Sequence, residues 1–263
     1  MARVGPLLKD WRRRRGLSQQ ELALRAQVST RHLSYVETGR SVPSRELILH
    51  LAEFLAVPLR DRNSLLMASG YAPVYSNRTL GDGDEGMPFV RDALLRLLAG
   101  HEPYPALVID RHWNLVDRNR STGILVKGVA GELLTPPVNV LRMALHPDGM
   151  APSIINFGEW SGYLLRRLEQ QLLVAGDDDL QRLYTEVRSY PGVATEALEA
   201  FDPAERVVVP LRLRSGGREL SLLNMVATFG TAVDVTAAEL VIESFYPADS
   251  ATARVLNDRG VTS

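Results

Sequence analysis

Five neighbouring side chains near the amino terminus place a dense set of hydrogen-bonding groups on one short stretch. They are Thr30, Arg31, His32, Ser34 and Tyr35. Together they offer hydroxyl, guanidinium, imidazole and phenol groups, which can contact phosphate oxygens and the edges of nucleic-acid bases. The combination suits recognition within a major groove.

Two short helices joined by a tight turn would present these side chains. Ser18, followed three residues later by Glu21, forms a capping box that starts the first helix. Ser29 caps the second helix, whose buried face is Leu33 and Val36. The polar side chains are then left on the outer face of the second helix.

Residues 17–39 resemble the lambda-repressor and Cro-like helix-turn-helix family, also called the xenobiotic-response-element family. The resemblance covers roughly residues 3–72, from an arginine-rich first helix to an apolar helix at 47–55 and a fifth helix at 59–69. It implies an all-α, DNA-binding domain of five helices. Gln27 stands where many members have Gly, and a left-handed backbone there would cost about 1 kcal/mol. The alternative is an ordinary helical hairpin.

The position of each residue relative to the second helix suggests its role. The base-reading candidates lead the second helix: Ser29, Thr30, Arg31 and His32, with Ser34 behind them on the DNA-facing side. The phosphate-contact candidates lie at helix starts and flanking turns, which meet the DNA backbone: Gln19, Arg40 and Ser44. We expect Glu37 to be structural and to pair with an arginine of the first helix.

The charge distribution agrees with this assignment. Residues 1–72 contain twelve Lys and Arg and six Asp and Glu, a net charge of +6, whereas the rest of the chain carries −7. Phosphate attraction follows local charge, so the basic segment is the nucleic-acid candidate and the acidic body should be repelled by DNA. One or two of the arginines at 12–15 are expected to contact phosphate.

Composition narrows the class of protein. The 263 residues predict about two globular domains, and the absence of cysteine excludes disulfides and thiol chemistry. There is no apolar run of 18 residues and no apolar amino-terminal segment. We therefore expect a cytoplasmic protein with neither a membrane span nor a signal peptide.

The polar, glycine-rich residues 73–87 predict a linker between domains at 1–72 and 88–263. Within it, residues 81–86 match a three-glycine dinucleotide fingerprint. No apolar strand precedes the match, and Asp82, Asp84 and Glu85 would repel a pyrophosphate. The match is therefore interpreted as linker.

The body of the chain alternates strands and helices. Strands are predicted at 106–109, 115–116, 207–213, 219–228 and 239–245, and helices at 88–98, 119–126, 138–145, 158–175 and 178–189. Two strands, several helices and then three strands is the order of a PAS domain. This predicts an α+β domain with a five-stranded antiparallel sheet and helices over one face.

Short motifs at 101–105, 110–113, 146–149, 190–192 and 243–247 resemble the MmyB-like ligand-binding domain of bacterial regulators. The resemblance spans roughly residues 88–257. It implies a PAS-like fold, and fatty-acid-type compounds are the ligand class associated with that family.

An apolar pocket with a few polar groups would need aromatic and aliphatic walls and a group for a carboxylate head. The wall candidates are Trp113, Phe157, Trp160, Leu164, Met225, Phe229 and Phe245. The head-group candidates are Arg142 and His146, four residues apart on a predicted helix, with Asn156. The alternatives are ordinary core aromatics, a surface arginine and a capping histidine.

The sequence carries no enzyme signature. It lacks a nucleophile elbow, a P-loop and a zinc-binding helix motif, and its five histidines have no ligand spacing. Residues 177–179 precede an apolar helix, so helix capping accounts for this acidic run. Asp110 and His112 fall in a predicted hairpin turn. We expect no catalysis, no metal and no cofactor other than a possible bound apolar compound.

Taken together, the sequence predicts a one-component transcription regulator that binds double-stranded operator DNA as a homodimer and senses a small apolar molecule. The alternative is a regulator whose second domain only dimerises or binds a partner protein. A third, weaker alternative is an antitoxin-like role.

Overall fold

The computed structural model describes residues 4–80, 86–175, 177–193 and 208–260. Its internal contacts divide the chain into two units. One unit spans Met1–Thr79 together with Thr231–Ala238, and the other spans Leu80–Gly230 and Glu239–Ser263. Each unit has its own apolar core, so each is described separately.

The first unit begins with five helices, as predicted: α1 (Val4–Arg14), α2 (Gln19–Arg25), α3 (Thr30–Glu37), α4 (Arg45–Phe54) and α5 (Leu59–Ala68). Leu8, Leu22, Leu33, Ile48 and Leu65 are almost completely buried in the core between them. Burial of these side chains against one another provides most of the stabilisation of such short helices.

Both predicted helix caps are present. The Glu21 backbone N–H donates to Ser18 Oγ at 3.1 Å, and the Ser18 N–H donates to the Glu21 carboxylate at 2.7 Å. The His32 N–H donates to Ser29 Oγ at 3.0 Å. Gln27 has a φ of 54°, so the turn is left-handed at the position where the sequence lacks glycine.

Residues 73–79, which the sequence predicts as linker, belong to the first unit. The Asn63 side chain accepts hydrogen bonds from the N–H groups of Val74 and Tyr75 and donates to the Tyr75 carbonyl at 2.7 Å. Further along, the Arg78 N–H donates to Asp234 at 3.1 Å. These bonds give the segment a fixed path. The fingerprint-like residues 81–85 lie outside the described residues.

The second unit contains the predicted five-stranded antiparallel sheet. Its strands are β1 (Ala106–Ile109), β2 (Leu115–Arg118), β3 (Leu211–Ser215), β4 (Arg218–Thr228) and β5 (Val241–Pro247), in the spatial order β2-β1-β5-β4-β3. The predicted turn joins β3 to β4. The strand predicted from residue 207 begins at Leu211, and residue 207 itself lies outside the described residues.

Five helices belong to the same unit as the sheet: α6 (Pro88–Gly100), α7 (Val140–Leu145), α8 (Phe157–Ala175), α9 (Asp178–Arg188) and α11 (Ser250–Gly260). Helix α10 (Val235–Glu239) belongs, except for its last residue, to the first unit. The helix predicted at 119–126 is a short 3₁₀ helix, Arg120–Ile124. Helices α10 and α11 were not predicted. Among the described residues, no helix is long and apolar enough to cross a membrane.

The sheet is covered on both faces, not on one as the sequence predicted. Leu94 and Leu98 of α6 pack with Ala106, Val108 and Ile242 on one face. A larger cluster, built from α7, α8 and α9, packs on the opposite face. All four residues of β1 are buried for this reason.

Candidate functional site

The exposed surface of α3 contains most of the predicted base-reading side chains. Thr30, Arg31 and His32 are exposed in its first turn, whereas Leu33 is buried beneath them. Ser29 lies just before the helix and its Oγ accepts from the His32 N–H, so its hydroxyl proton is left to donate elsewhere. Ser34 is half-buried, and its carbonyl accepts from Thr38 Oγ1 at 2.7 Å.

Tyr35 stands between two arginines of this surface. Arg31 Nε donates to Tyr35 Oη at 3.0 Å, and the Arg31 guanidinium carbon lies 5.4 Å from the ring centroid. The guanidinium carbon of Arg40 lies 5.9 Å from the same centroid. The sequence places Tyr35 in the polar set of this helix without giving it a role of its own, and its spacing four residues after Arg31 puts both on one helix face.

An ion pair beneath the surface orients α3. The Arg12 guanidinium donates to both Glu37 carboxylate oxygens, at 2.7 and 2.8 Å, which confirms the predicted pairing of Glu37 with the first helix. Gln19 Nε2 donates to the same carboxylate at 2.8 Å. Burial opposes ionisation of Glu37, but these hydrogen bonds outweigh it and lower its pKa. The predicted phosphate contact of Gln19 therefore falls to the second proton of Nε2 and to its backbone N–H.

Further phosphate candidates flank α3. Ser44 caps α4 by accepting from the Leu47 N–H at 3.2 Å. Its hydroxyl and the Glu46 N–H bond to the Glu46 carboxylate and lower the pKa of that group, so a phosphate would have to compete with Glu46 at this helix start. Arg15 donates to the Leu55 and Ala56 carbonyls at 2.7 and 2.9 Å. Arg13 and Arg14 are the exposed members of the arginine run.

In the second unit, several predicted ligand residues lie in the core. Trp113, Trp160, Leu164 and Phe245 are buried in the larger cluster, and Phe157 packs against it. The Trp113 indole N–H donates to Gln171 Oε1 at 2.9 Å. Their close packing matches the alternative reading, in which such aromatics form the core.

The predicted head-group residues have partners within the protein. Arg142 donates twice to Glu186, at 2.7 Å each, and Tyr190 Oη donates to the same carboxylate at 2.6 Å. Burial together with the bond to Glu186 raises the pKa of Tyr190. His146 lies edge-on to Tyr190, with ring centroids 5.0 Å apart. Glu186 thus occupies the guanidinium that a ligand carboxylate would need.

Three further candidates lie apart from the core. Asn156 joins the start of α8 to β3, because it donates to the Pro210 carbonyl at 2.8 Å and accepts from the Arg212 N–H at 3.0 Å. The Met225 side chain is 60% exposed, and Phe229 packs with the α6 cluster on the opposite face of the sheet. The structure therefore does not bring the ten candidates into one site.

An apolar cavity of about 90 Å³ lies elsewhere in the second unit, between β1, β2 and α7. It is lined by Leu107, Leu115, Arg118, Thr122, Leu125, Val126, Leu134, Val138, Val140 and Met143. None of the ten predicted ligand residues is among them. Most of the lining comes from residues 122–140, which are largely irregular, so helical or strand periodicity could not identify it.

A charged pair fills the interior beside the core. Arg167 Nη1 donates to Glu243 at 2.8 Å, and the Arg167 guanidinium carbon lies 4.7 Å from the Trp113 ring centroid. Asn224 donates to the other oxygen of Glu243 at 2.9 Å. These bonds satisfy a buried carboxylate that would otherwise be costly.

One group of side chains has the composition of a metal site. In the described chain, His112, Asp177 and Asp179 bring one ligand atom each within 4.8 Å of one another. The Arg111 guanidinium already contacts Asp177, which also caps α9 through the Asp179 N–H at 2.9 Å. Burial opposes ionisation of Asp177, but the bond from His112 and its other donors lower its pKa. Capping by Asp177 was predicted and is confirmed.

The predicted turn at Asp110 is also present. Asp110 Oδ1 accepts from the N–H groups of His112 and Asn114 at 2.8 and 2.9 Å. These bonds shape the β1–β2 turn and account for the aspartate at this position.

Two family descriptions match the chain. Residues 90–258 match the MmyB-like transcription regulator ligand binding domain, and residues 3–65 match a helix-turn-helix domain. The first match alone covers more than half of the chain. The matching families are those of transcription regulators, which are generally not enzymes.

Other comparisons add little. No curated protein matches this chain at significant similarity. The solved structure of an RNA-binding light-oxygen-voltage receptor matches with 14% identity and a TM-score of 0.29, over 93% of this chain and 55% of that one. This chain thus spans about half of that protein's length, and so low a TM-score supports no conclusion about function.

Proposed function

Since the chain belongs to the MmyB-like transcription regulators, we propose that its first unit binds operator DNA sequence-specifically, under control of an apolar small molecule held by the second unit. The coarser statement, a ligand-responsive transcription regulator with a helix-turn-helix domain, follows from the two families. We further propose which residues contact DNA, which class of ligand binds and that the chain is a homodimer.

The observation that carries the DNA-binding proposal is the exposed first turn of α3, which lies above the buried Arg12–Glu37 ion pair. Thr30, Arg31 and His32 are exposed there, while the Arg12–Glu37 pair holds the helix from below. Recognition helices read base edges with their amino-terminal residues. Ser29 and Ser34 complete the proposed base-facing set.

The proposed phosphate contacts surround this set. Gln19 and Ser44 lie at helix starts, where backbone N–H groups and the helix dipole favour an anion. Arg40 follows α3 and is exposed. One such module reads few base pairs, so we propose a homodimer that places two α3 helices about one turn of DNA apart.

The ligand proposal rests on the apolar cavity. A cavity of about 90 Å³ is smaller than the roughly 150 Å³ that accommodates benzene in an engineered core. A long-chain fatty acid would have to displace the irregular residues 125–139, which contain only a single 3₁₀ turn, Gly131–Leu134. Arg118 lies at the wall and donates to Thr122 Oγ1 at 3.3 Å, which offers a cation to a carboxylate head.

The alternative is a second unit that only dimerises or binds a partner protein. The ion pair of Arg167 and Glu243 beside Trp113 favours it, because bonded protein groups take up this part of the interior. A pocket of about 400 Å³ does lie next to the pair, between α8 and β4, with Tyr163, Gln170 and Asn224 in its lining. Mass spectrometry of an organic extract of the purified chain separates the two functions. We expect a stoichiometric apolar compound whose removal and return change DNA affinity. An empty extract, together with no response to added fatty acids of eight to eighteen carbons, would favour the alternative.

A further inference from the structure

Two arginines that are nine residues apart in sequence converge on a single aromatic ring. Arg31 lies in the first turn of α3 and Arg40 lies beyond the end of that helix. Their guanidinium carbons are 5.4 and 5.9 Å from the Tyr35 ring centroid, within the range of cation–π attraction. The phenol is thus a shared support for both cations.

The two arginines are held by different atoms of Tyr35. Arg31 Nε donates to the Tyr35 hydroxyl at 3.0 Å, so it depends on the oxygen as well as the ring. The Arg40 backbone N–H donates to the Tyr35 carbonyl at 2.8 Å, which fixes where the Arg40 side chain leaves the chain. Removing only the hydroxyl should therefore affect Arg31 and leave Arg40 in place.

We infer that Tyr35 is a positioning residue for DNA reading, which holds Arg31 towards the bases and Arg40 towards the phosphate backbone. This inference rests on the proposed DNA-binding function. Both arginine side chains are exposed and long, so without a support each would lose many rotamers on binding DNA. Ordering them in the free protein removes part of that cost and fixes the distance between the base contact and the phosphate contact.

The test uses the full-length chain and a duplex selected from a random-sequence library by the wild type. Discrimination is the affinity of a protein variant for the selected duplex divided by its affinity for an altered duplex. The altered duplex differs at the one base pair for which the Arg31→Ala variant no longer shows a preference. Tyr35→Phe should lower discrimination about threefold to tenfold and leave the salt dependence unchanged. Tyr35→Leu should also weaken binding to every duplex and reduce the salt slope by about one.

The matched control is Tyr71→Phe, which removes a hydroxyl that donates to the Pro43 carbonyl at 3.3 Å in the same unit. Tyr71→Phe should change neither the discrimination nor the salt dependence of binding. Thermal denaturation should show that all variants are folded. In an Arg31→Ala background, Tyr35→Phe should have no further effect, because its role passes through Arg31.

Wild-type discrimination in Tyr35→Phe would overturn the inference. So would a loss that persists in the Arg31→Ala background, which would indicate a direct contact from the hydroxyl to DNA. If the wild type enriches no sequence from the library, the proposed function itself fails. Enrichment without any effect of Tyr35→Phe confines the failure to the role of Tyr35.

Discussion

Arg12 and Glu37 form a two-armed ion pair that joins α1 to the last residue of α3. Arg12 Nε donates to Oε1 at 2.7 Å and Nη2 donates to Oε2 at 2.8 Å. The residues are only 8% and 4% exposed, so water cannot replace either partner. Since Gln19 of α2 bonds to the same carboxylate, one acidic side chain ties together three helices.

Removing the carboxylate should therefore destabilise the first unit. Glu37→Ala leaves the Arg12 cation buried without its partner, a change that typically costs about 3 kcal/mol or more. For a unit of this size we expect the melting temperature to fall by more than about 10 °C. Thermal denaturation measures this, with the exposed Glu53→Ala as control. A loss as small as that of the control would show that the pair contributes little.

The same pair makes stability depend on pH. Hydrogen bonds from Arg12 and Gln19 hold the pKa of Glu37 below its ordinary value of about 4.3, despite the opposing effect of burial. The unfolded chain therefore binds a proton first as the pH falls. The contribution of Glu37 is complete above about pH 5 and is lost as the pH drops through its folded-state pKa. Denaturation from pH 7 to 3 should show this loss, and Glu37→Gln should flatten it, whereas Glu53→Gln should not.

Arg31→Ala should abolish most of the sequence preference without affecting the fold. One bidentate base contact contributes about 1–3 kcal/mol of discrimination, roughly tenfold to a hundredfold in relative affinity. Fluorescence anisotropy with selected and scrambled duplexes measures this, and melting temperature reports on the fold. Arg25→Ala, an exposed cation of α2, is the control. Equal preference in Arg31→Ala and wild type would exclude Arg31 from base reading.

How far the sequence predicts the fold is shown by the helix caps. Ser18, Glu21 and Ser29 act locally, so their roles follow from residue type and spacing, and the structure contains each bond. Helix α10 has only five residues and overlaps the predicted start of β5, whereas α11 has eleven residues and begins shortly after β5 ends. The local sequence pattern alone does not distinguish a short helix from the first residues of a strand at this point in the chain.

The ligand candidates show what sequence reasoning could not place in three dimensions. Met225 and Phe229 are candidates by residue type alone. The structure leaves Met225 exposed on β4, and it packs Phe229 against the α6 cluster, away from the larger core. The cavity lies instead among aliphatic residues such as Leu125 and Val138, which nothing in the sequence distinguishes from ordinary core. Its position depends on how an irregular segment packs, which is a tertiary property.

Filling the cavity should remove ligand binding and leave DNA binding intact. Val138→Phe adds a ring to a space of about 90 Å³, at a cost of roughly 1–3 kcal/mol for overpacking. We expect no extractable apolar compound and a DNA affinity that no longer responds to it. Val116→Phe, at an exposed position of β2, is the control. Undiminished extraction from a folded Val138→Phe variant would place the ligand elsewhere.

The full-length chain should be a dimer in solution. A palindromic operator read by two α3 helices requires two copies of the first unit. Light scattering at micromolar concentration should give a mass near twice 29.1 kDa, with and without the selected duplex. A mass of one chain under both conditions would contradict the dimer.

The most direct test of this account is the affinity of the full-length chain for a selected duplex relative to a scrambled one at about 0.15 M salt. A sequence-specific regulator should bind the selected duplex at least about a thousandfold more tightly. A ratio near one, with equal salt dependence for both duplexes, would contradict the claim that α3 reads a DNA sequence.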